Sequence, residues 1–299
     1  MKEGMRMKKL AVMALSVMLI SVMAIGGSLA YFTDTVTNAN NVITAGSVQI
    51  TQLEYQRSAD GTTLEEYEQD KPCYPAHAQS GDSYVPSISF DWGTHVTAAN
   101  ASSNLLWDDS KLSNVVDKFV FVQNEGTSPA YCRTLIALEC PDNVTYGTEY
   151  SESVDIMLNL NNTGIQWTTL TDKITVDGIR YQVMVATYQD VIKAGETAMP
   201  SLLQLVMTDN ATNHEALAMG DIYEVLVLTQ ACQTTTFIDA DDTTLAGKDR
   251  ATYALDICFK IDKIDEANVT QWFHDLLHPK TATADAANDN TNNTQQNMP

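Results

Sequence analysis

The chain has 299 residues, with 17 Lys and Arg against 38 Asp and Glu, and a formal net charge of −21 at pH 7. A surface this acidic repels nucleic acid and anionic membranes, so it excludes functions that depend on binding either of them. The five cysteines contain no CxxC pair, which excludes a small disulfide scaffold and a zinc ribbon.

The first 30 residues are predicted to be a secretory signal. Four Lys or Arg within residues 1–9 precede an apolar run at 10–25, and the small residues Ser28 and Ala30 occupy the −3 and −1 positions. We expect cleavage between Ala30 and Tyr31. The alternative is an uncleaved anchor, but the apolar run is shorter than the roughly 20 residues that span a bilayer. Cleavage leaves 13 basic and 37 acidic residues, a formal charge of −24.

Residues 31–46 are predicted to be an extended, polar arm that precedes a predicted first strand at 47–54. The threonines of this arm favour an extended conformation. Five apolar side chains are suited to filling a groove: Tyr31, Phe32, Val36, Val42 and Ile43. The arm is therefore a candidate donor strand for another copy of the chain, and the alternative is a free terminus with no partner.

The body, residues 47–280, is predicted to be one antiparallel β-sandwich. A loop-rich insertion at about 55–113 is rich in turn residues and carries a short strand at 87–92. Alternating or continuous apolar runs then predict strands at 118–123, 130–139, 154–160, 164–169, 181–188, 202–207, 222–232 and 251–261. Many strands with turns between them and almost no helix indicate an all-β sandwich.

The C-terminal part has a different pattern. Residues 265–277 fit a short amphipathic helix that ends before Pro279, with four side chains facing the body: Val269, Trp272, Phe273 and Leu276. Residues 281–299 are rich in Asn, Thr, Ala and Gln, which predicts a disordered tail.

Several short motifs follow one another between about residue 22 and residue 237. In chain order they are AYFTDT with ITAGSVQI, VQNEGTSPAYCRTLIAL, DGIRYQVMVATYQDVIKAGETAMPSLLQLVM and VLVLTQACQTTTF. These motifs and their order resemble the TasA/camelysin family. The resemblance implies a jelly-roll-like fold, export through a dedicated type I signal peptidase, and extracellular biofilm fibres. The insertion at 55–113 departs from the simpler members.

The expected function is therefore a secreted structural subunit of matrix fibres, in the matrix or at the surface of a Gram-positive-type bacterium. Its partners would be copies of itself, joined head to tail by strand addition, and other matrix proteins. After cleavage, neither nucleic acid nor membrane is expected as a partner. Two alternatives stay open: a secreted metalloendopeptidase like the camelysin members, and a monomeric adhesion module that binds through the insertion.

No catalytic residue is predicted, because the chain contains neither a GxSxG elbow nor an HExxH motif. His274 and His278 are four residues apart and would share one helix face, a spacing that suits zinc. Asp275 stands where the zinc proteases have Glu, and no third ligand is evident, so two surface histidines are the alternative interpretation.

The acidic loop with Asp239, Asp241 and Asp242 could hold calcium, the one cofactor considered, although it lacks the glycine and distal Glu of an EF-hand. The alternative is a solvated turn. Among the cysteines, Cys232 and Cys258 lie in two late predicted strands and are the favoured pair. The alternative, which is preferred for most of the five cysteines, is a free buried thiol.

Overall fold

The computed structural model describes residues 48–67, 87–97, 101–106, 115–149, 151–208, 210–211, 224–234 and 249–278. The predicted signal with its cleavage site, the arm at 31–46, the Asp239–Asp242 loop and the tail at 281–299 lie outside these residues. In the part of the chain that is described, no helix is both long and apolar enough to cross a membrane.

The described residues form mostly strands, as predicted. In chain order these are β1 Ile50–Arg57, β2 Leu64–Glu66, β3 Ser87–Asp91, β4 Ser102–Leu106, β5 Val116–Asp117, β6 Phe119–Asn124, β7 Ala130–Glu139, β8 Tyr146–Gly147, β9 Ile156–Leu160, β10 Ile165–Thr169, β11 Ile174–Val176, β12 Ile179–Tyr188, β13 Leu202–Met207 and β14 Val225–Gln233. Two helices follow, α1 Arg250–Cys258 and α2 Glu266–Leu277. The strands pair antiparallel except for the short contact between β8 and β9.

The strands form a sandwich of two layers. The first layer, here called the major sheet, has the order β10-β12-β7-β14, with β11 also paired to β12. The opposing layer combines the sheets β2-β1-β6 and β5-β13-β9-β8. Backbone hydrogen bonds from Lys118 N to Leu203 O and from Ser201 N to Val120 O join these two sheets. The all-β sandwich is thus confirmed. Several neighbouring strands, such as β1 and β6 or β7 and β14, are distant in sequence, as in a jelly roll.

Strand β7 lies in the centre of the major sheet and is buried along its whole length. Leu135 pairs with Val185 of β12 and with Leu228 of β14. Side chains alternate between the two faces of a strand. Leu135 and its partners on the adjacent strands therefore pack under α2, whereas Ile136 packs between the two layers. Burial on both faces explains why β7 is apolar without a clear alternation.

The prediction of a strand at 251–261 is wrong, because most of these residues belong to α1, Arg250–Cys258. Its buried residues Ala251, Ala254 and Leu255 and the half-buried Cys258 follow the three-and-four spacing of a helix. Asp249 caps the helix, since its side chain accepts a hydrogen bond from Thr252 N.

The predicted helix at 265–277 is confirmed as α2. Val269, Phe273 and Leu276 are buried against the major sheet, and Trp272 is half-buried. The side chain of Asp265 caps the helix by accepting from Asn268 N.

The described parts of segment 55–113 contribute a packed layer as well as turns. The hairpin of β3 and β4 covers the outer face of β6, where Trp92 is 1% exposed and Leu105 is fully buried. The Trp92 ring meets the rings of Phe119 and Phe121 edge to face at 4.9 and 5.5 Å. This part of the segment is therefore held to the sandwich by aromatic packing.

Candidate assembly edge and metal centre

Strand β14 forms one border of the major sheet. All nine of its residues pair with β7, from Val225 opposite Leu138 to Gln233 opposite Ala130. Among the described residues, no strand pairs with the other side of β14. A strand border of this length presents a row of backbone donors and acceptors to which another strand can add.

The other borders are shorter or covered. The outer side of β6 is closed by the segment before β13, through hydrogen bonds from Asn124 N to Glu196 O and from Ala198 N to Val122 O, each 2.9 Å. Strand β10, at the far border of the major sheet, has five residues. Within the described ranges, β14 is therefore the longest border available for strand addition.

The chain enters the sandwich at the end where β14 finishes. Gln49 O accepts hydrogen bonds from Glu125 N at 2.8 Å and Gly126 N at 3.2 Å, in the turn after β6. Thr234 N, just past β14, bonds to Pro129 O in the same connection. Ile50 is buried in the core, so β1 belongs to its own sandwich. The candidate donor residues Tyr31, Phe32, Val36, Val42 and Ile43 lie before the described residues.

The predicted zinc ligands His274 and His278 do lie side by side at the end of α2, with ring centroids 4.6 Å apart. The structure adds a third candidate ligand, Asp177, from the turn between β11 and β12. His278 Nε2 lies 2.8 Å from Asp177 Oδ2, and one donor atom from each of the three residues lies within 4.8 Å of the others. Packing of α2 against Ile174 and Val176 brings the turn to the helix end.

Two imidazoles and one carboxylate form a donor set that suits zinc or a similar divalent metal. All three side chains are exposed, so a cation would keep water at its remaining positions. Asp275 lies 3.9 Å from His274 Nδ1 and takes the place of the glutamate that acts as general base in zinc proteases. The arrangement can therefore bind a metal, but it does not reproduce that catalytic motif. The proposed calcium ligands Asp239, Asp241 and Asp242 lie outside the described residues.

Sequence reasoning missed a buried polar centre beneath the helices. Arg133 of β7 is fully buried, donates from Nη1 to Asp256 Oδ1 and from Nε to Gln230 Oε1, each at 2.7 Å, and lies against the rings of Phe259 and Trp272. Burial lowers the pKa of Arg133, and the Asp256 carboxylate opposes that shift. The one signal in the sequence was an arginine in the middle of an apolar strand.

The cysteines of the described residues are all free thiols: Cys132, Cys140, Cys232 and Cys258. Burial raises the pKa of the Cys132 thiol, which makes it an unreactive core residue. Cys140 is buried just after β7 and lies 3.3 Å from Val144 O. Cys232 and Cys258 lie in one apolar cluster between the major sheet and α1, so the two favoured partners are neighbours.

Comparison of the chain with protein-family models, with curated proteins and with solved structures finds no match. The resemblance to the TasA/camelysin family thus rests on the sequence motifs alone.

Proposed function

We propose that the protein is an exported structural subunit that assembles with copies of itself into extracellular matrix fibres. The arm at 31–46 of one copy would pair with the outer border of β14 in the next copy. The observation that carries this proposal is the border of β14 from Val225 to Cys232, to which no strand pairs among the described residues.

The dimensions of the two elements are compatible. At about 3.3 Å per residue, β14 extends for roughly 30 Å. The 14 residues from Tyr31 to Thr44 can pair along this whole length and leave several residues as a connection to β1. Such head-to-tail addition does not close on itself, and it therefore produces filaments rather than a fixed oligomer.

The chemistry of the arm decides which changes should matter. When a groove accepts the aromatic residues of the arm, their apolar surface is removed from water. This burial contributes about 25 cal/mol of favourable free energy per Å² of apolar area. Subunits with a formal charge of −24 repel each other, so salt should speed assembly by screening. Phe32→Asp should weaken assembly strongly, and the matched change Asn40→Ala should hardly affect it.

The test compares the mature chain with a version that begins at Ala45, using light scattering for assembly and circular dichroism for folding. We expect the shortened chain to stay folded and monomeric, because β1 and the core begin after the deleted residues. Equal polymerisation of both chains would overturn the strand-addition mechanism. An unfolded short chain would show that the arm completes its own sandwich.

Hydrogen exchange locates the acceptor. In polymers, the amides of β14 should exchange more slowly than in monomers, and those of β10, the opposite border of the same sheet, should be unchanged. Protection of β10 instead of β14 would show that β10, and not β14, accepts the arm.

One observation supports the alternative function of a metalloendopeptidase: the three donor side chains of Asp177, His274 and His278 lie together. A protease assay distinguishes this function from the structural one. The purified mature protein is incubated with casein, with and without added zinc. We expect no cleavage, because Asp275 replaces the catalytic glutamate. Cleavage of casein by the unsubstituted protein that is lost in His274→Ala would show that the protein is a metalloprotease.

A further inference from the structure

The direction of the side chains on β14 and β7 singles out one cysteine pair. Cys232 pairs with Tyr131 in the register and faces α1 with it, whereas Cys132 pairs with Ala231 and points into the space between the two layers. Because alternate residues of a strand face opposite sides of its sheet, Cys132 cannot reach α1. Cys232 and the α1 residue Cys258 are therefore on the same side of the major sheet.

The helix brings Cys258 to this position. Ala251, Ala254 and Leu255 pack with Cys232 and Tyr131, and Cys258 is the last residue of α1 on the same face. Cys232 is 4% exposed, and Cys258 is half-buried. One thiol is thus shielded and the other remains within reach of a small reagent.

The buried guanidinium of Arg133 also acts on this pair. Its Nη2 has no hydrogen-bond partner among the described residues, and its charge favours a thiolate at both cysteines. A hydrogen bond from Cys232, aided by Arg133 and opposed by burial, lowers the pKa of Cys258 to about 7. Since the thiolate is the nucleophilic form, Cys258 is the more reactive partner, and Cys232, whose pKa is raised by Cys258 and by burial, stays protonated.

We infer that Cys232 and Cys258 are a redox-active dithiol, which closes to a disulfide that fastens α1 to β14. The oxidant is a disulfide compound of low molecular weight or an exported dithiol oxidase. The Cys258 thiolate attacks one sulfur of that disulfide, which forms a mixed disulfide and releases the other sulfur as a thiolate. Cys232 then loses its proton and attacks the Cys258 sulfur, which releases the second oxidant sulfur. The two electrons and the two protons of the cysteines end on the reduced oxidant, now two thiols.

Closing the bond should stabilise the fold reversibly. The cross-link would join residues 26 positions apart and restrict the unfolded chain, so the melting temperature should rise by roughly 5 °C or more on oxidation and fall again on reduction. The inference does not depend on fibre assembly, because the purified mature chain is sufficient for the test.

The experiment treats the mature protein with oxidised glutathione, blocks remaining thiols under denaturing conditions and maps the peptides by mass spectrometry. We expect a cross-linked peptide pair holding Cys232 and Cys258, about 2 Da lighter than the two thiol peptides together, and its loss after dithiothreitol. Cys132→Ala, a buried cysteine on the other face of the sheet, is the matched control and should keep the cross-link. Cys232→Ser should instead hold glutathione on Cys258.

Two measurements make the outcome decisive. The rate of iodoacetamide modification of Cys258 should show a midpoint near pH 7 in the native protein. In Cys232→Ala, which removes the hydrogen-bond donor, the midpoint should move up towards about 8.5, the ordinary thiol value. Three results would overturn the inference: complete modification of both cysteines after oxidation, a stable glutathione adduct in the unsubstituted protein, or pairing of either cysteine with Cys73, the fifth cysteine of the chain, which lies outside the described residues.

Discussion

Removing the charge of Asp256 tests whether the buried ion pair holds the helices on the sheet. Asp256→Asn keeps the size of the side chain but leaves the guanidinium of Arg133 buried, with Gln230 as its remaining hydrogen-bonded side chain among those described. The two side chains of the pair are 0% and 4% exposed, so water cannot replace the lost carboxylate. Breaking one partner of such a pair costs about 3–5 kcal/mol, because an uncompensated charge is left in the interior.

The chain offers a matched control in the ion pair of Arg180 and Asp142, whose side chains are 42% and 81% exposed. Asp142→Asn should cost less than about 1 kcal/mol, since solvent screens an exposed pair. Urea unfolding of both variants measures the difference. A loss of about 3 kcal/mol corresponds to a decrease of roughly 6–12 °C in melting temperature for a domain of this size.

Equal effects of the two substitutions would refute the reasoning, because burial would then not determine the cost. Replacing both partners, as in Arg133→Met with Asp256→Leu, gives a second check. The double variant should be more stable than Asp256→Asn alone, since no charge is then left buried.

The remaining predictions concern metal and pH. Zinc should raise the melting temperature of the native protein and leave that of His274→Ala unchanged, whereas EDTA should leave the fold intact; unfolding in EDTA would reveal a structural metal. Burial and the hydrogen bond to Glu224 raise the pKa of Tyr181, so the folded chain keeps this phenol protonated while the unfolded chain ionises it near pH 10. Stability should therefore fall above about pH 10, and less steeply in Tyr181→Phe, when measured by urea unfolding across that range.

Most strands can be predicted from the sequence because the pattern of apolar residues along each of them matches the pattern of burial in the structure. The bounds predicted for 130–139 and 202–207 match β7 and β13 to the residue. The segment ATYALDICFKI misleads, since its apolar residues satisfy both an alternating and a three-and-four spacing, and packing on the major sheet selects the helix. A single Gly-containing turn signal could not show that Asp177 lies beside His278, because 101 positions separate them and tertiary packing alone joins them.

Helix α1 links the buried ion pair of Arg133 and Asp256 to the proposed acceptor border of β14. It packs against the face of β14, the strand whose border is proposed to accept the arm of another copy, and it is held there by Asp256 and by its contacts with Cys232. Strand addition requires an ordered border, because an acceptor that frays must first be fixed in place at the expense of binding free energy. Loss of α1 packing should therefore weaken assembly even though no residue of the helix belongs to the border. An Asp256→Asn chain that stays folded but assembles as fast as the native chain would show that the border of β14 keeps its order without the helix.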